Sequence, residues 1–375
     1  MDDLHALLPH LADVAAGIAA PERYAPPPDT ASGQARLAAR LERHGLGPVG
    51  HAAFRHDRAM ANLLAPSAFR AAAENLTHLE TLTRIERRLA ADRIDMVLLK
   101  GAAVAPDLYA DTSLRPMRDI DLWIGERDLP RAAKALADEG FEEAPADPRR
   151  PPALQRQSGG EIPFRRRGGG FGMIELHYSA FQGWWIRRTA APDLDAVRDR
   201  AVPAGADRHA RRLSTEDAIL QTAFHVAVNQ FAQTPLKGIM DIAVLARRRR
   251  VDWGAVCHRA RAWRIATATW LVLETADRLM GLPCGAPAIR SLRPSLTRRA
   301  ILRGAVGPSS VIASRDLTPV PLRYPFMLAL VDRGRDGARL VGRTLWPERW
   351  WIDARYGRPG SRLGHLRALV RRGGV

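Results

Sequence analysis

Arg118-Asp119-Ile120-Asp121-Leu122-Trp123-Ile124 is the stretch on which the fold of this chain turns. In an extended strand successive side chains point to opposite faces. Asp119 and Asp121 therefore share one face, and Ile120, Leu122 and Ile124 share the other. The apolar face can be buried in a core. The acidic face sets two like charges side by side, which is unfavourable unless a cation lies between them. Mg²⁺ suits such a face, because it is usually held by one or two carboxylates together with substrate phosphates. The plainer alternative is an edge strand whose polar face meets water.

The sequence just upstream favours the first reading. Met96-Val97-Leu98-Leu99 is a short apolar run fit for a buried strand, and it stops at Lys100-Gly101. Ala102 to Tyr109 reads as a short helix, limited to about two turns by Pro106. A strand, a glycine turn and a helix N-terminus in succession present free backbone N–H groups to an anion, and Lys100 adds a positive charge at the same place. Downstream, Gly172-Met173-Ile174-Glu175-Leu176-His177-Tyr178 alternates like another strand, with Met173, Glu175 and His177 on one face. Were this strand to lie beside the Asp119 strand, Glu175 would join the two aspartates. Two-metal phosphoryl transfer needs a carboxylate cluster of that kind.

Leu98-Leu99-Lys100-Gly101, Leu108-Tyr109, Arg115, Arg118-Asp119-Ile120-Asp121-Leu122 and Ile174-Glu175-Leu176-His177 together resemble the uncharacterised nucleotidyltransferase family of the DNA polymerase beta-like superfamily. The similarity runs from about Leu76 to about Pro294. It implies an α+β fold, with a small mixed sheet flanked by helices and a helical domain behind it. It implies that Asp119, Asp121 and Glu175 bind two Mg²⁺ ions, and that Lys100 and Gly101 lie at the phosphates of an NTP, most simply ATP. An aspartate near the position of Asp241 recurs in the helical domain of that family. The wider superfamily offers a hydroxyl from a glycine-serine turn, whereas Lys100-Gly101-Ala102 has none. The aspartates also lie farther downstream of the glycine than usual.

Composition narrows the remaining possibilities. With 375 residues the chain can bury a real core and form two domains with extensions. The two cysteines, Cys257 and Cys284, are too few and too isolated for a disulfide framework or a zinc site, which fits a reducing compartment. Met1-Asp2-Asp3-Leu4 lacks the layout of a signal peptide, and apolar stretches such as Ile265 to Leu273 are too short to span a bilayer. A cytoplasmic protein is expected. The net charge of +17 would suit nucleic acid, anionic lipid or acidic substrates. Yet Lys100, Lys134 and Lys237 are the only lysines, and the abundance of arginine, alanine, glycine and proline matches the coding bias of a GC-rich genome. Solvated surface is preferred over a dedicated nucleic-acid face.

Four regions are expected: N-terminal helices over 1–93, a catalytic core over 94–185, a helical domain over 186–320 and a basic, aromatic tail over 321–375. Leu4 to Ala19, Gln34 to Arg43 and Phe69 to Ala91 read as helices, with a break over the proline cluster Pro21 to Pro28. Leu76, Leu79, Leu82, Ile85 and Leu89 recur at helical spacing and should pack on the sheet. Arg127 to Glu139 reads as a helix, 145–160 as a loop, and Ile162 to Arg165 with Phe171 to Tyr178 as a hairpin. Ser214 caps a helix carrying His225, which reads as a hydrogen-bonded packing residue in preference to a ligand. The helix from Pro235 to Arg248 carries Lys237 and Asp241 one turn apart. They form either an intrahelical ion pair or a phosphate-binding lysine with its orienting carboxylate. In the tail, Trp346, Trp350, Trp351 and Tyr356 either pin the segment to the body, the preferred reading, or meet bases or an anionic membrane.

The function these residues point to is Mg²⁺-dependent transfer of a nucleoside monophosphate from an NTP to a hydroxyl on a small molecule, peptide or protein. Asp119, Asp121 and Glu175 would be catalytic and metal-binding. Lys100, Gly101, Arg115, Arg118, His177, Lys237 and Asp241 would serve the nucleotide. By alternation Arg118 is expected opposite the acidic face, in a structural salt bridge. A nucleic-acid-directed transferase or binding module, and a catalytically silent interaction protein, are the alternatives.

Overall fold

The computed structural model describes residues 3–18, 27–144, 154, 160–168, 172–181, 186–206, 208–229, 231, 235–313, 320–356 and 360–371. Most of the proline cluster, nearly all of the 145–160 loop, the tip of the hairpin and the last four residues lie outside that set.

Seven strands form one mixed sheet: β1 (Met96–Leu99), β2 (Asp119–Ile124), β3 (Phe141–Glu143), β4 (Glu161–Arg166), β5 (Met173–His177), β6 (Val202–Pro203) and β7 (Arg211–Arg212). Their order across the sheet is β3-β4-β5-β2-β1-β7-β6. β2 is central, antiparallel to β1 and parallel to β5. β4 and β5 make the expected antiparallel hairpin, pairing Glu161 with His177 and Arg165 with Met173.

The alternation in β2 separates two cores. Ile120, Leu122 and Ile124 join Leu98, Phe164, Ile174 and Leu176 in an apolar layer. Helices α4 (Arg58–Ala91) and α6 (Leu129–Asp138) cover it through Leu82, Ile85 and Leu89 and through Ala132 and Leu136. Each fully buried Leu or Ile there contributes about 1.5–3 kcal/mol of transfer free energy. Val97, Leu99 and Trp123 point the other way, into a larger core. That core is built by α1 (Asp3–Ala16), α2 (Ala31–Arg43), α3 (Gly47–Ala53), α5 (Lys100–Leu108) and the helices that follow the sheet. Among the latter, Thr215–Val228, Leu236–Arg248 and Ala266–Met280 pack together. Asp121 pairs with Leu99 across the β1–β2 ladder and so lies on this second face, between the sheet and the helical domain.

Several expectations need correction. α4 starts at Arg58, well before Phe69, where Asp57 accepts a hydrogen bond from the Met60 N–H at 2.8 Å, and it runs through Pro66. Leu76 is 60% exposed. On that turn the helix buries Asn75, His78 and Thr81 instead, because it faces polar backbone there rather than the sheet's apolar layer. Helix α3 and the two-residue strands β6 and β7 carry too short a pattern to be read from sequence. β6 and β7 extend the sheet beyond residue 185.

In the tail, helices Gly334–Leu345, Arg349–Tyr356 and Arg362–Arg371 are anchored by buried Leu340 and Ile352. An Arg188–Glu348 ion pair at 3.1 Å also ties the tail to the body. Among the described residues no helix is long and apolar enough to cross a membrane.

Candidate active site

The parallel pairing of β2 with β5 sets Asp121 directly opposite Glu175. Asp121 is fully buried. Its Oδ1 accepts a hydrogen bond from Lys100 Nζ at 2.6 Å and lies 2.8 Å from His177 Nε2. Lys100 Nζ is also 3.7 Å from Glu175 Oε2, and His177 Nε2 is 3.5 Å from the same oxygen. Asp121 Oδ2 has no hydrogen-bond partner among the described residues. A buried carboxylate oxygen without a donor is costly and calls for a cation.

Asp121, Glu175 and His177 each place one potential ligand atom in a set lying within 4.8 Å of one another. Asp119 is outside that set. Strand geometry explains why: Asp121 and Glu175 are neighbours across the ladder, whereas Asp119 stands one pleat away, opposite Met173. The orphaned Oδ2 and the adjacent Glu175 fit a divalent cation with oxygen ligands. His177, already against Oδ1, fits a role behind Asp121 better than one on a magnesium ion, which prefers oxygen.

Electrostatics in the cluster are dominated by burial opposed by pairing. Burial alone would raise the Asp121 carboxyl and lower the Lys100 and His177 cations. Lys100 and His177 together hold Asp121 well below the usual carboxylate range. Asp121 and Glu175 raise Lys100 and His177 in return. Asp119 is shifted up, first by burial and then by the charge of Asp121, with Lys100, Lys237 and Arg115 opposing.

The turn from β1 into α5 is strained where it matters. Lys100 has φ of 46°, a left-handed conformation rare for a residue with a side chain and found preferentially at functional sites. Helix α5 begins there with no side chain capping its first N–H groups. Gly101 is required by packing: a Cβ would lie 2.7 Å from an Arg115 guanidinium nitrogen.

Arg115 and Arg118 exchange the places expected of them. Arg115 is buried and donates to Asp241 from Nε at 3.1 Å and from Nη2 at 2.7 Å, while Tyr109 Oη donates to the same carboxylate at 2.7 Å. Arg118 is exposed, and among the described residues no salt bridge joins it to Asp119 or Asp121. It precedes β2, so alternation within the strand does not bind it to the covered face. Asp241 is therefore taken by Arg115 and Tyr109, not by Lys237. Lys237 is half-buried, and its ammonium is lowered to about 8 by burial and by Arg115, with Asp241 and Asp119 partly compensating.

Two contributors were not recognised from sequence. His225 is half-buried, with Nδ1 3.3 Å from Asn229 Nδ2, and is depressed to about 3 by burial and then by the Lys100 charge, with Asp121, His177 and Lys237 also felt. The charges of Lys100, Asp121 and His177 thus reach this ring. Asn75 is fully buried and clamps the segment that leads into β2. Its Nδ2 donates to Thr112 O at 2.6 Å and to Arg115 O at 2.9 Å, and its Oδ1 accepts from Met117 N at 2.9 Å. An asparagine one residue off an apolar stripe gives no signal of that role. A crevice of about 30 Å³ beside Lys100, between α5 and the Thr215–Val228 helix, has room for a water rather than a nucleotide.

The mixed sheet thus sets the Asp121–Glu175 pair beside the lysine-glycine turn. The family model described as "Uncharacterised nucleotidyltransferase" matches residues 31–281, and the chain belongs to that family of enzymes. No curated protein and no solved structure matches the chain.

Asn75→Ala would strand the buried Arg115 carbonyl and the buried Met117 N–H, at about 1–3 kcal/mol for each unsatisfied group, while the part-buried Thr112 carbonyl would keep the Arg115 N–H. A loss of about 3 kcal/mol or more in urea unfolding is expected. A loss below about 1 kcal/mol would show that the clamp does not hold this segment.

Proposed function

We propose that this nucleotidyltransferase moves a nucleoside monophosphate from a Mg²⁺-bound NTP, most simply ATP, to a hydroxyl-bearing small molecule, peptide or protein. The observation carrying this reading is the in-register Asp121–Glu175 pair with its orphaned Asp121 Oδ2. A divalent cation bound there would lower the pKa of the attacking hydroxyl and offset charge on the α-phosphate and the departing pyrophosphate.

The chain's own residues divide the remaining work. Asp121 and Glu175 hold the cation, and Asp119, one pleat away on the same face, shares a second one. Glu175, with 16% of its side chain exposed, is placed to accept the proton of the acceptor hydroxyl. His177 orients Asp121. Lys100 and the uncapped N–H groups of α5 bind the triphosphate, as anions bind other helix N-termini. Lys237 and the exposed Arg118 complete a cationic rim around the phosphates. Arg115 acts from beneath: clasped by Asp241 and pressed on Gly101, it keeps the phosphate turn in register with the helical domain. The acceptor is taken up by the helical domain over 186–320.

Asp121→Ala combined with Glu175→Ala is expected to abolish Mg²⁺-dependent pyrophosphate release from labelled NTPs across an acceptor panel. Unchanged release would remove the assignment of this site. A second test uses pH. Lys237 is protonated below about 8, so its attraction for a triphosphate is present there and is lost as pH rises through that value. Affinity for a non-hydrolysable ATP analogue should fall several-fold, up to about tenfold, between about pH 7 and pH 9. In Lys237→Met that fall should shrink. Identical pH profiles would return Lys237 to a packing role.

A further inference from the structure

The charge of the last three helices is segregated. Arg335, Arg339, Arg343, Arg349, Arg362 and Arg367 are exposed. The acids of the same segment are turned inward or engaged. Asp332 accepts from the backbone N–H groups of Ala266 and Thr267, both at 2.8 Å, and Asp336 is buried, 3.6 Å from both Arg264 and Arg339. Glu348 pairs with Arg188 at 3.1 Å and lies 3.5 Å from Arg343, and Asp353 accepts from the Gly360 N–H at 3.0 Å. After Asp353 the sequence contains no acidic residue.

Large apolar side chains lie exposed among those arginines: Leu345 at 49%, Trp346 at 54%, Trp350 at 42% and Leu363 at 64%. Arg339, Gly342, Arg343 and Trp346 recur at the spacing of a single helical face. The final helix packs against the end of the Gly334–Leu345 helix, where His365 Nε2 lies 2.9 Å from Thr344 O. This contact brings Arg362 over the Trp346 ring, 5.1 Å from its centroid. The resulting surface is cationic and carries indoles and leucines that water solvates poorly.

We infer that this surface docks the enzyme on an anionic lipid bilayer. Exposed arginines are drawn to the negative potential of such a membrane. Tryptophan and leucine beside them are the side chains that enter the boundary between headgroups and acyl chains. Single-stranded nucleic acid would meet the same charge and could stack on Trp346 and Trp350. Leu345 and Leu363 cannot stack on bases, and their place beside the arginines favours acyl chains. The described helices lie on the membrane in this arrangement and do not cross it.

The full-length protein should co-sediment with vesicles of phosphatidylcholine mixed with phosphatidylglycerol and not with pure phosphatidylcholine. Arg335→Glu with Arg349→Glu should weaken that binding at least about tenfold, since each basic residue contributes about 1 kcal/mol at such a surface. Trp346→Ser with Leu363→Ser, which leaves the charge intact, should weaken it as well. Both pairs are exposed, so an unchanged thermal midpoint would establish that folding is preserved. Acyl-brominated lipid should quench tryptophan emission in the wild-type protein and less so in Trp346→Phe with Trp350→Phe. Equal binding to neutral vesicles, no binding to either kind, or full binding by the charge-reversed variant would overturn the proposal. So would binding of single-stranded RNA or DNA that displaces the protein from vesicles.

Discussion

Asp121 carries a negative charge with no exposed surface, and the catalytic half of the molecule is arranged around that fact. An isolated buried carboxylate costs several kcal/mol, so it must be paired, hydrogen-bonded or bound to a cation. Lys100 from the strained end of β1 and His177 from β5 share one of its oxygens. The other oxygen is buried without a hydrogen-bond partner among the described residues. A site made only for stability would be expected to satisfy both oxygens. Here the second is left without a partner, and the β2–β5 register sets another carboxylate, Glu175, across the ladder.

The same logic extends into the helical domain. Arg115 and Asp241 form a buried pair between the approach to β2 and the Leu236–Arg248 helix, and Tyr109 completes it. Removing one member of such a pair strands the other and typically costs about 3–5 kcal/mol. The arrangement links sheet and helices at a point that touches Gly101, the residue after Lys100. Movement between the two parts would therefore be felt at the phosphate turn. Asn75 holds the backbone on either side of Arg115, so the ladder of contacts runs from α4 through the Arg115 segment to Asp119.

Much of this arrangement was legible in the amino-acid order. Alternation in Asp119–Ile124 and Met173–His177 gave both strands and the face each carboxylate occupies, because period-two patterning is imposed by the backbone. The break at Lys100-Gly101 marked the turn into α5. What stayed hidden depends on partners distant in sequence. The choice of Arg115 over Arg118 as the buried arginine, and of Arg115 over Lys237 as the partner of Asp241, is made by tertiary contacts with no local pattern. Asn75 and His225 looked like ordinary helix residues for the same reason. The apolar spacing through Leu76 misled because α4 outruns the sheet and meets polar backbone there.

Asp121 and Glu175, two like charges set opposite one another across the ladder, are proposed to grip a divalent cation between them. A crystal structure with Mn²⁺ and a non-hydrolysable ATP analogue, read by anomalous scattering, tests it most directly. The account requires a manganese peak bridging the two carboxylates, about 2.0–2.3 Å from Asp121 Oδ2, with Lys100 Nζ turned toward the analogue's phosphates. A peak elsewhere, or Lys100 still bound to Asp121 with no ion present at saturating manganese and nucleotide, would contradict it.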